Sequence, residues 1–237
     1  MVPRMMNQKA GGMIKSWCET KGVPVLASTR VTKLEKNVDN EDTLNVDLDN
    51  GKQIPAHLVV IAAGVKSNTA FLEGSGIEVK EGIVVDKYLK TTVDDIYAAG
   101  DCAQGPDIAG GWSVHAIQPT CADHGQLVGK NMAGAQIPYK GSLVMNVLDT
   151  LGLISVSYGA WEGKGDGVEV LDEKNYRYMR LEFEGDKLIG ALSLGRTEHV
   201  GVLRGLIQTG VALGEWKEKL KADPQLIMEA YVATKYA

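Results

Sequence analysis

The run Thr91-Thr92-Val93-Asp94-Asp95-Ile96-Tyr97-Ala98-Ala99-Gly100-Asp101 carries the clearest chemical signal in the chain: apolar residues leading into a glycine and a carboxylate. A carboxylate at the C-terminal end of a buried strand lies where open α/β sheets bind their ligands. The glycine ahead of it lets a bulky ligand approach the backbone. Asp101 could there accept hydrogen bonds from the hydroxyls of a sugar alcohol. A Gly-Asp pair alone, however, reads more simply as a strand end followed by an ordinary turn aspartate. Phosphate-cradling loops are missing: Gly74-Ser75-Gly76 fails the G-x-G-x-x-G pattern at Val79, and Gly163-Lys164-Gly165 fails it at Val168. Cys18, Cys102 and Cys121 stand far apart, so they form neither a disulfide framework nor a zinc site and read as reduced thiols. His57, at a strand start, and His199, at a helix start, read as surface or capping groups.

Elements must hold these residues in place. The spacing of Ala10, Met13, Ile14 and Trp17 predicts a helix over Asn7 to Lys21, closed by Gly22. A strand is expected from Val23-Pro24-Val25-Leu26, and a hairpin from Thr29 to Glu35 and Thr43 to Leu48, with Asn50-Gly51 as a turn. His57 to Gly64 is a continuous apolar run ending in glycine, which predicts a strand buried on both faces of a parallel sheet. Gly82 to Asp86 and Asp95 to Asp101 are expected as two further strands, the second delivering Asp101. A loop over Gly105 to Ser113 precedes a helix from Pro119 to Met132, stopped by Ala133-Gly134. From Ser142 the pattern changes to strands and turns over Ser142 to Trp161 and Gly167 to Leu194. A helix face of Val200, Leu203, Leu206 and Ile207 follows, closed by Gly210. Asp223-Pro224 is expected to open a terminal helix reaching about Val232. The last segment is thus an α+β unit.

The 237 residues suffice for one large or two small domains, and 44% of them are apolar. The net charge is −5, with no basic cluster of the kind that marks a nucleic-acid footprint. No apolar run is long enough to span a bilayer. Residues Met1 to Ala10 are mixed and polar and do not read as a signal peptide. The expected compartment is the cytoplasm, with neither nucleic acid nor membrane as partner and no metal site.

Residues Thr91 to Asp101 resemble the second FAD-binding motif of the pyridine nucleotide–disulfide oxidoreductase superfamily, Thr-x-x-x-x-Ile-Tyr-Ala-x-Gly-Asp. Thr91, Ile96, Tyr97, Ala98, Gly100 and Asp101 match it position by position. The stretch Gln118 to Gly134 is similar to the family's following helix, departing from it at Gln118, Cys121, His124 and Val128. The resemblance implies that Asp101 binds the ribityl chain of FAD. It also implies that Ala116, Ile117 and Gln118 meet the flavin ring through backbone, where free N–H groups and the positive helix end favour the charge that collects on reduction. Leu58 to Gly64 resembles the last strand of the NAD(P)H domain, which makes Gly64 a further candidate. His115, just before the presumed flavin contact, is the one histidine singled out for a functional role. Trp112 could cover the flavin or anchor its own loop.

Thr197 to Gly214 resembles the C-terminal domain of the branch with nitrite reductase NADH modules, rubredoxin reductases and NADH oxidases. That domain, and the lack of a His-Pro-x-x-x-Glu near the C-terminus, argue against the thioredoxin reductase and glutathione reductase branches. The implied fold class is α/β. Remnants of two Rossmann-like domains (residues 1–64 for NAD(P)H, 65–138 for FAD) precede an α+β interface domain (139–237). The implied function is transfer of electrons from NAD(P)H through FAD to an acceptor, in a homodimer paired through Ser142 to Ala237. The family's two pyrophosphate loops would precede Met1. The chain alone is therefore expected to hold FAD weakly or not at all, and a cofactor-free interaction module is the alternative.

Overall fold

The computed structural model describes residues 1–38, 40, 42–163 and 165–235. Ala237, where the expected interface domain ends, and Lys164 lie outside the described residues. The described residues group into two compact units, Cys18–Val65 and Met1–Trp17 with Lys66–Ala237. Helix α1, Gln8–Thr20, begins in the larger unit and runs into the smaller one.

In the smaller unit, β1 (Val31–Lys36), β2 (Leu44–Leu48) and β3 (Gln53–Ala56) form an antiparallel sheet in the order β1-β2-β3. The expected hairpin is present. β3 was not legible because Pro55 lacks an N–H, yet it pairs opposite Asn45 at the sheet edge, where a missing donor is tolerated. Two expected strands are absent. Val23 to Leu26 forms none, with Val23 and Leu26 exposed. Leu58 to Gly64 forms no strand either, and Leu58, Val60 and Ile61 are 78%, 76% and 79% exposed. An apolar run becomes a buried strand only when neighbouring strands supply hydrogen bonds and helices cover its faces. Among the described residues no strand lies beside this one.

Among the described residues of the larger unit, two apolar cores stand out. The smaller of them is built by Ile83, Val85, Leu89, Ala98 and Ala103, with Leu127 and Val128 of helix α2 (Gln118–Met132) packed against it. Its sheet runs β4 (Ile83–Val84), β5 (Ala103–Asp107) and β6 (Gly111–Val114), with β4 and β5 parallel and β5–β6 an antiparallel hairpin where a loop was expected. Helix α2 matches expectation. Its C-terminus is fixed by Asn131, whose amide donates to the Tyr88 and Ile137 carbonyls and accepts the Ile137 N–H, all near 3.0 Å.

The larger core surrounds a five-stranded antiparallel sheet. Its strands are β7 (Met145–Thr150), β8 (Leu153–Gly159), β9 (Gly167–Asp172), β10 (Arg177–Glu184) and β11 (Lys187–Leu194), in the order β7-β8-β11-β10-β9. On one face Met179, Leu181 and Phe183 meet Leu203, Leu206 and Ile207 of α3 (Val200–Thr209), with Leu220 of α4 (Trp216–Ala222) and Ile227 and Ala230 of α5 (Ile227–Lys235). The opposite face is buried too, at Tyr178, Leu192 and Leu194. The start of α1 is tied there: Asn7 donates to the Tyr178 hydroxyl at 2.9 Å, Lys9 pairs with Glu169, and the Trp17 indole donates to the Leu151 carbonyl at 3.2 Å. Burial and the bond from its hydroxyl to Glu169 push Tyr178 up to about 12.

This arrangement corrects the reason for expecting self-association. The apolar positions of β10 and α3 do not await a second copy, because the chain's own helices fold over its own sheet. Asp223-Pro224 forms a turn, with Asp223 Oδ1 accepting the Gln225 N–H at 3.0 Å. The terminal helix begins only at Ile227, and α4 before it had no capping signal in the sequence.

Candidate functional site

Thr91 to Asp101 does not form the buried strand that its apolar content suggested. Lys90 and Tyr97 make an isolated antiparallel bridge, Asp95 takes a left-handed φ of 63°, and Ile96 is exposed. Ala99 is extended, and Gly100–Cys102 then forms one 3-10 turn that presents Asp101. Gly100 has a φ of +76°. Such a turn favours glycine, because a side chain in the left-handed region costs about 1–2 kcal/mol. A Cβ at Gly100 would stand 3.4 Å from Cys121 Sγ, which is tight without being prohibitive. Gly100→Ala should therefore destabilise the chain by about 1–2 kcal/mol in urea titration, and an unchanged midpoint would show that the left-handed turn is not required.

Asp101 is exposed. Its Oδ1 accepts the Cys121 thiol at 2.8 Å, its backbone carbonyl accepts the Ser67 hydroxyl at 3.1 Å, and its Oδ2 accepts nothing from the described residues. The Asp101 carboxylate and burial together push the Cys121 thiol up, so it stays protonated as a donor. Cys121 lies in the first turn of α2, so this bond brings the carboxylate beside the helix N-terminus. Ile117 is the N-cap in extended conformation, with no side-chain capping bond, and Pro119 sits in the opening turn. The Ile117 N–H is taken by the His115 carbonyl at 2.8 Å, and the Cys121 N–H by the Ile117 carbonyl at 3.1 Å. The Gln118 N–H has no partner among the described residues, and Ala116 and Gln118 are exposed. Gly64 belongs to the smaller unit, where it ends the exposed run at a φ of +98°.

His115 lies with Nε2 3.4 Å from Asp107 Oδ2, too poorly aligned to count as a hydrogen bond, and both side chains are nearly buried. Burial works to raise the Asp107 carboxyl. The His115 ring, the Ala109 N–H at 2.6 Å and the Ser113 hydroxyl at 3.1 Å nevertheless hold it below the ordinary carboxylate value. Trp112 is anchored through its indole N–H to the Val85 carbonyl at 2.7 Å, with its ring half exposed. Sequence reasoning missed Gln104, whose buried side chain accepts the Glu81 N–H at 3.2 Å and donates to the Trp112 carbonyl at 3.4 Å. A lone glutamine in a strand carries no signal of that bracing role.

It also missed the burial of His124. Burial and the neighbouring His115 lower its pKa, and only Asp123 works the other way. A histidine lowered in this way stabilises the fold fully above its unfolded value of 6.5, and that contribution is lost as pH falls through its lower folded value. The melting temperature should thus fall on acidification below pH 6.5, and less steeply in His124→Asn. Equal slopes for the two proteins would assign the acid sensitivity to other groups.

The fold is one that this chain shares with solved reductase structures. The chain superposes on an NAD-dependent persulfide reductase from A. fulgidus with a TM-score of 0.77 at 24% identity, covering 91% of this chain and 43% of that one. On the putidaredoxin reductase–putidaredoxin complex the TM-score is 0.85 at 18% identity, covering 100% and 56%. Residues 1–117, just under half of the chain, match the family described as pyridine nucleotide-disulphide oxidoreductase. Relatives include the Bacillus subtilis (strain 168) nitrite reductase [NAD(P)H], 27% identical over 91% of this chain and 26% of its own length. Another is the NADH-dependent phenylglyoxylate dehydrogenase subunit epsilon of Aromatoleum evansii, 29% identical over 92% of this chain and 52% of its own length. The chain thus spans about a quarter of the first of these curated relatives and about half of the second. No helix among the described residues is long and apolar enough to cross a membrane.

Proposed function

We propose that the complete protein is a FAD-dependent NAD(P)H oxidoreductase passing electrons to an acceptor, and that this chain supplies the ribityl and ring-edge side of its flavin site. The observation that carries the reading is the 2.8 Å bond between Cys121 and Asp101, which holds a carboxylate beside the uncapped first turn of α2. The donor set fits the group. A carboxylate with one oxygen unengaged suits a chain of hydroxyls. A free Gln118 N–H at the positive end of a fifteen-residue helix suits a ring edge that gains negative charge. Bound FAD would supply the redox chemistry itself. Asp101, Gly100, Ala116, Ile117 and Gln118 would bind and orient it, and Gly64 would belong to the nicotinamide side.

The division at residues 64 and 138 into nicotinamide, flavin and interface segments belongs to the same reading. So does pairing with a second copy in the cytoplasm. With the α3 face buried, that pairing would use apolar residues left exposed on β7 and β8, Val147 and Ile154. The test is direct. Purified complete protein should show flavin absorbance that NADH or NADPH bleaches, and a colourless protein that cannot be reconstituted with FAD would favour the cofactor-free interaction module. The 237-residue chain alone should lose its flavin on dialysis, because Asp101 and α2 reach only the ribityl and ring portions. Stoichiometric retention by that chain would overturn this expectation.

A further inference from the structure

Helix α2 grips the Gly100–Asp101 turn through two side chains three residues apart, and therefore on one helix face. Cys121 donates to Asp101 Oδ1, and His124 accepts the Gly100 N–H at Nδ1 over 3.2 Å. His124 is 2% exposed, its ring meets Tyr139 edge-on at 4.7 Å, and its Nε2 has no hydrogen-bond partner among the described residues. A neutral imidazole that accepts at Nδ1 carries its proton at Nε2. Among the described residues, the one hydrogen bond this buried ring makes is thus the one to Gly100. Gly100 sits at a φ of +76°, so the direction of the next side chain depends on how that amide is held. Cys121 and His124 are two of the positions at which this helix departs from the family pattern it resembles, and both touch the turn.

We propose that His124 is a positioning residue: its Nδ1 fixes the Gly100 amide so that Asp101 faces the ligand's hydroxyls, with Cys121 as a second hold on the carboxylate. This role rests on the reading of Asp101 as a flavin ligand. Asparagine and leucine test it as a pair. Both branch at Cγ like histidine, are close in size to each other, and remove the ring edge against Tyr139 alike. Asparagine alone can place an acceptor where Nδ1 stands.

In the complete protein stripped of flavin and titrated with FAD, His124→Leu should weaken binding on the order of ten-fold, while His124→Asn stays within about three-fold of wild type. In the flavin-free wild-type protein, nitrogen-15 NMR of the His124 ring should show Nδ1 unprotonated and Nε2 protonated. Equal losses in the two variants would reassign His124 to packing, and a protonated Nδ1 would remove the bond; either result overturns the proposal. If neither variant folds, the wild-type ring spectrum decides. Wild-type protein that binds no FAD would sink the flavin reading, and this role with it, whereas FAD binding with indifferent variants would sink only the role of His124.

Discussion

Leu206→Glu should destabilise the chain by roughly 3–5 kcal/mol, the cost of an uncompensated buried charge, rather than split a dimer. Leu206 is 1% exposed and packs among Leu203, Phe183, Leu181 and Leu188 in the core between α3 and the five-stranded sheet. Its neighbours in that cluster are all apolar. Glutamate there must either ionise without a partner or take up a proton, and both routes cost folding free energy. Urea unfolding followed by circular dichroism should show a large drop in midpoint, with loss of helix signal at low denaturant. A variant with wild-type stability and altered mass in sedimentation would place Leu206 at a subunit contact instead.

Asp101→Ala should weaken FAD binding in the complete protein by about 1.5–3 kcal/mol, the range for hydrogen bonds to a charged group. That corresponds to roughly ten- to a hundred-fold in affinity. The effect on folding should be small. Asp101 is exposed, and its only side-chain bond among the described residues is to the Cys121 thiol, a weak donor. Fluorescence titration of the stripped protein measures the first quantity and thermal melting the second. A variant that keeps its flavin and melts much earlier would make Asp101 a structural residue.

Where the periodicity was long and closed by its own signals, the elements were legible in the sequence. Helix α2 has Pro119 at its start and Gly134 just past its end, and α3 is closed by Gly210 at a φ of +59°. Strands β10 and β11 alternate and are joined by a Gly185-containing turn. Each of these needs only neighbours in sequence to define it. Leu58 to Gly64 shows the opposite case. Seven apolar or small residues suffice to suggest a strand, but a strand exists only by pairing, and its partners are not encoded in the strand itself.

The site divides along the same line. The residue types and order of Thr91 to Asp101, and the helix after it, by themselves determined the family resemblance and pointed to Asp101 and the α2 N-terminus. Tertiary structure alone decided that a 3-10 turn rather than a strand presents Asp101, that Cys121 holds its carboxylate, and that His124 lies buried beneath Gly100. It also decided that the apolar face of α3 closes over the chain's own sheet, while the start of α1 covers the sheet's other side. The physical reason is range. Caps, turns and helical faces are set within a few residues, whereas burial depends on surfaces brought together from distant parts of the chain. Hydrophobic attraction carries no direction, so an amphipathic helix declares that it must be covered without declaring by what.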